Sequence, residues 1–131
     1  MNITVYSRNR LYETFSKWEV PRDFADPMAN YLVYGYNPGG FFTSVLANDF
    51  HSAIAHSHPS NTINACKSLG GWILDHAPRE SHGSYNNVEV WCSLPADVRR
   101  TILEDYNLVY SEQQEIMMAL QGQSTTEPVL Y

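Results

Sequence analysis

Apolar residues in this chain recur at three- and four-residue intervals in short runs, and each run is closed early by a proline, a glycine or a capping residue. A chain punctuated in this way can build short amphipathic helices and little else. Leu11, Tyr12, Phe15 and Trp18 repeat at helical spacing until Pro21 ends the run. In FADPMANYLVYG, Asp26 suits an N-cap, Pro27 the first helical position and Gly35 the C-terminal stop. Ser60 or Asn61 can cap a helix carrying Ile63, Cys66, Leu69, Ile73 and Ala77, which Pro78 halts. Gly70 and Gly71 inside it imply close packing against a neighbour or a local break. Ser84 precedes a short helix with Val88 and Trp91, Pro95 opens another with Val98, Ile102 and Leu103, and SEQQEIMMALQ forms a last one ending at Gly122. The expected fold is all-α, a bundle of about five to seven short helices. A short strand at residues 3–6, ITVY, is expected to precede a first helix over about 8–19.

The 131 residues fit one domain, expected over 1–122, with the polar segment QSTTEPVLY at 123–131 as a loose tail. Hydrophobic residues make up 44% and charged residues 17%, a globular balance. Eight Lys and Arg against 14 Asp and Glu leave a net charge of -6, which disfavours nucleic acid and makes a basic or amine-bearing partner easier to accommodate. Arg99 and Arg100 read as solvated surface, as do the adjacent Glu104 and Asp105. Cys66 and Cys92 lack CxxC spacing and read as reduced, buried thiols. MNITVYSRNRLYETF lacks the apolar core of a signal peptide, and no run approaches the roughly 18 apolar residues of a membrane span, so the expected location is the cytoplasm.

The stretch PGGFFTSVLANDF, residues 38–50, poses a specific problem. Stepped at the helical angle, Phe42, Leu46, Phe50 and Ala53 form one apolar stripe, and Asp49 falls in its middle. An unpaired carboxylate there costs several kcal/mol. Asn48 or Asp49 therefore either caps a second helix starting at Phe50, or Asp49 is satisfied across a continuous helix over about 40–57, or it contacts a ligand.

Pro38, Gly39 and Gly40 make a turn whose amides favour an anion at a helix start, although no GxxxxGK[ST] loop is present. Tyr31, Tyr34 and Tyr36 flank that turn. The candidate binding surface is accordingly Tyr34, Tyr36, Asn37, Gly39 and Gly40, with the C-terminal helix.

PGGFFTSVLANDF, together with SN at 60–61, WILDHAP at 72–78 and HGS at 82–84, resembles a family of small, uncharacterised proteins of tailed bacteriophages. Its members carry a Pro-Gly-Gly-Phe-Leu, Ala-Val-Leu, Asn-Asp-Leu block, then an Asn, a Trp-Leu pair and a Gly-Ser. The likeness covers about residues 24–92. Phe42, Ser44 and Phe50 are conservative departures, whereas His56 and His58 stand where the family has an Arg and an Asp. The resemblance implies a phage accessory gene expressed in the host cytoplasm and transfers no catalytic residues.

Other chemistry is poorly favoured. His51, His56 and His58 do not share a helix face as zinc ligands do, so no metal or cofactor is expected. Asp75, His76 and Ser84 supply the residue types of a triad without GxSxG. The leading expectation is a non-enzymatic binding protein that occupies or inhibits a host or defence protein. The alternatives are a binder of a nucleotide or other small anion at Gly39 and Gly40, and an assembly factor that self-associates through Met117, Met118 and Leu120.

Overall fold

The computed structural model describes residues 3–58 and 62–122. Among them are eight α-helices, one 3₁₀ turn and no strand. The fold is all-α as expected, with slightly more helices than anticipated because one long segment splits. The expected tail at 123–131 lies outside the described residues.

Helix α1 spans Val5–Lys17 and absorbs half of the anticipated ITVY strand. Thr4 decides this, because its hydroxyl accepts the Ser7 amide at 3.4 Å and caps the helix in spite of the β-branched residues around it. The helix closes with Glu19 in the left-handed region at φ +56, the Val20 amide donating to the Phe15 carbonyl at 3.0 Å.

Helix α2, Arg22–Tyr34, begins four residues before the expected Asp26 cap. Pro21 already opens it, and Pro27 sits within it, where its missing N–H forfeits one helical hydrogen bond. Asp26 serves elsewhere: it accepts the Tyr12 hydroxyl at 2.5 Å and pairs with Arg22 at 3.7 Å. Gly35 closes α2 at φ +71, where an added Cβ would lie 2.8 Å from the Arg99 guanidinium.

Of the alternatives left open for residues 40–57, the structure has two separate helices, α3 at Gly40–Leu46 and α4 at Phe50–His56, in place of one continuous helix. Asn48 takes φ +63 and Asp49 caps α4, accepting the Ser52 amide at 3.1 Å. The break also dissolves the predicted stripe: Leu46 and Ala53 are buried, whereas Phe50 is 73% exposed.

Helix α5, Ile63–His76, is capped by Thr62, while the candidates Ser60 and Asn61 lie outside the described residues. A 3₁₀ turn at Arg79–Ser81 leads to α6, Tyr85–Ser93, capped by Ser84 as anticipated. Helix α7 spans Ala96–Asp105 and α8 spans Glu112–Gly122. Ser111 and Gln114 bond each other's backbone amides reciprocally, a capping box that starts α8.

The core joins α1, α2, α5, α6 and α7. Phe15 stacks on Trp72 at 4.3 Å, the Trp72 indole donates to the Thr14 hydroxyl, and the Trp91 indole donates to the Tyr31 carbonyl at 3.1 Å. Tyr31 is itself fully buried, its hydroxyl donating to the Ser81 carbonyl at 2.6 Å, and burial raises its pKa. It is thus part of the core and not of a surface aromatic patch.

Arg99 and Arg100 are buried, contrary to the surface expectation. Arg99 donates to the carbonyls of Val33 and Leu94 and so ties α7 to the end of α2. Arg100 bonds Glu104 at 3.1 Å and Glu115 at 2.5 Å, so Glu104 is not merely solvated surface either. Glu115 completes the cluster by accepting the Thr4 amide and the Thr4 and Ser7 hydroxyls. Burial pushes the Glu115 carboxyl up, but the bonds from Ser7, Thr4 and Arg100 outweigh it and hold the group below its usual range.

Candidate functional site

Only one side of α5 faces the core. Leu69 and Trp72 pack inward, Ile73 lies between core and cleft, and the Trp18 ring lies against Gly71 so closely that an added Cβ would meet it at 2.4 Å. The opposite side presents Ile63, Cys66, Lys67, Gly70 and Leu74, at helical spacing over about 16 Å. These residues form one wall of a cleft of about 760 Å³. Phe50, Ala53 and Ile54 of α4 form the other wall, and Phe41, Val45 and Leu46 of α3 form its floor. Ile63 and Leu74 are 87% and 83% exposed, and Ile54 is 56% exposed, so the walls are open apolar surface and not a second core. Gly70 keeps the middle of the α5 wall low, with nothing within 4 Å of an added Cβ.

A small polar cluster borders this surface. Asp49 accepts the Tyr85 hydroxyl at 2.6 Å as well as the Ser52 amide, and Ser44 lies 3.3 Å from the same hydroxyl. The Tyr85 bond, then those from Ser52, hold the Asp49 carboxyl below its usual range, so it is ionised at neutral pH. Its ligand-contact alternative is therefore unnecessary: the cap satisfies one oxygen and the Tyr85 hydroxyl the other. At the far edge, burial depresses the His82 imidazole. The Cys66 thiol is pushed up by burial, is half-buried and lies in no disulfide, and Cys92 is likewise half-buried and free.

Of the sequence-derived surface, Tyr34 and Tyr36 do meet, their rings stacked at 5.4 Å with Tyr36 exposed. Asn37 folds back on the turn, its side-chain oxygen accepting the Gly39 amide at 2.8 Å. One of the amides offered to an anion is thereby already bonded. Gly40 is covered by His56, whose ring would lie 3.1 Å from an added Cβ. None of these five residues lines the cleft, although Phe41 immediately after them does.

The residue types of a triad are not assembled. Asp75 accepts the Trp18 indole at 2.8 Å and lies 3.2 Å from the His76 ring, whereas Ser84 is spent capping α6. Among the described residues no group of three or more His, Cys, Asp or Glu is placed to hold a metal ion. No helix among them is long and apolar enough to cross a membrane.

Sequence reasoning missed the cleft because α5 carries apolar residues on two faces. The stripe read from the sequence, Ile63, Cys66, Leu69, Ile73 and Ala77, mixed the two: Leu69, Ile73 and Ala77 are buried, whereas Ile63 is exposed and Cys66 lines the cleft with Gly70 and Leu74. Fold and cleft together define a small all-helical protein with an open apolar groove. No family model, no curated protein and no solved structure matches the chain.

Proposed function

We propose that this is a non-enzymatic binding protein whose cleft between α4 and α5 receives the apolar face of a helix from another protein. The observation that carries the reading is the set of exposed apolar side chains lining one groove, Phe50 and Ile54 from α4 with Ile63 and Leu74 from α5. A groove between two helices lined by exposed apolar side chains suits the apolar face of a third. The resemblance of PGGFFTSVLANDF to phage proteins supports, within the same reading, a host or defence protein as the target.

Purification of the N-terminally tagged protein from infected bacteria, in parallel with Leu74→Glu, tests this. A stoichiometric protein partner retained by the wild type and lost by the variant is the expected result. A partner retained equally by both would remove the cleft from the interaction.

A further inference from the structure

Charge narrows what the groove accepts. Between Asp26 and Asp75 the sequence contains a single acid, Asp49, and a single Lys or Arg, Lys67; the other 13 of the 14 acids (14 − 1) lie elsewhere. Both charges line the cleft, but they are not equivalent. Asp49 has one oxygen on the Ser52 amide and the other on the Tyr85 hydroxyl. Lys67 is exposed and makes no ion pair or hydrogen bond among the described residues. The uncommitted charge facing the groove is therefore positive, on a chain whose net charge is -6.

We infer, building on the cleft reading above, that the groove selects an amphipathic helix with a carboxylate beside its apolar face, placed to pair with the Lys67 ammonium. An acidic protein would thus take an acidic helix at a groove whose lining carries one acid, Asp49, already bonded. None of the other described carboxylates lines the cleft, and physiological salt screens charges beyond about 8 Å, whereas the Lys67 pair forms at contact. The open form of the groove favours a helix over a small amphiphile. Its α5 wall matches about three helical turns, and Ile63 and Leu74 project into solvent instead of enclosing a cavity.

The test uses the full chain, isotope-labelled, and two synthetic amphipathic peptides identical except for Glu or Lys flanking the apolar face. Cleft resonances on α4 and α5 should shift with the Glu peptide at about fivefold lower Kd than with the Lys peptide, the scale of one exposed ion pair. Lys67→Glu, a substitution at an exposed position, should reverse that order. Equal affinities through the same resonances would overturn the charge selection and leave the cleft reading standing. No shift with either peptide would overturn both. Dodecanoate displacing the Glu peptide at lower concentration than the peptide itself requires would reassign the groove to a small carboxylate amphiphile and overturn the helix.

Discussion

Glu115 is the one buried residue of α8 among those whose burial is described, and it meets the body of the protein through charge and hydrogen bonds. The outward residues Ile116, Met117 and Leu120 are exposed, so apolar packing contributes little to holding this helix. Glu115→Gln keeps the shape but removes the charge that Arg100, Thr4 and Ser7 all address. The expected loss is about 2–3 kcal/mol, read as a lower urea midpoint. The pH dependence has a definite sign. Glu115 binds its proton less readily in the fold than at its ordinary value of 4.5, so its contribution is complete above that value and is lost as pH falls through the folded one. His76 and His82, depressed by burial below 6.5, act earlier, because the unfolded chain takes up those protons first as pH falls. Wild-type stability should therefore decline in two stages on acidification. Glu115→Gln should flatten only the lower stage, which urea titrations across the acid range would measure.

At the scale of the element, two adjacent glycines in α5 make opposite predictions. Gly70→Ala adds a methyl into open space and relieves a mid-helix glycine, a gain of up to about 1 kcal/mol. Gly71→Ala drives the same methyl to 2.4 Å from the Trp18 ring, whose indole is held by Asp75, and should lose about 1–3 kcal/mol. Thermal melts of the two variants should move in opposite directions. Glu19, which ends α1 at φ +56, belongs to the same scale: Glu19→Gly should stabilise by about 1 kcal/mol by relieving a left-handed L-residue. These ends explain what the sequence could reveal. Gly35, Ser84 and the Asp49 break were legible because each is a local device, a residue satisfying a backbone group within a few positions. The strand at ITVY and the start at Asp26 failed because other local devices, Thr4 and Pro21, act earlier in the chain. Burial of Arg99 and Arg100 was hidden for a different reason. Their partners, Val33 and Glu115, come from other helices and become neighbours only in the folded chain.

At the scale of the whole molecule, the described residues leave apolar side chains exposed both at the concave groove between α4 and α5 and on the outer face of α8. Shape separates them. A concave surface can contact a planar dye on more than one side and exclude water from it, whereas a single helix face contacts it on one side only. The native protein at neutral pH should therefore bind an apolar fluorescent dye at the groove. Leu74→Glu, at a position 83% exposed, should change stability by no more than about 0.5 kcal/mol and yet remove most of the fluorescence. Ile116→Glu on α8, 62% exposed, should leave the signal nearly intact. If the α8 substitution removed the signal and Leu74→Glu did not, the outer face of α8 would be the principal apolar surface, and the self-association reading through Met117, Met118 and Leu120 would take precedence over helix capture. Sedimentation at rising concentration completes the argument. A monomer that holds dye in the groove has a site for a partner, whereas a dimer that loses dye as it forms has covered that site with itself.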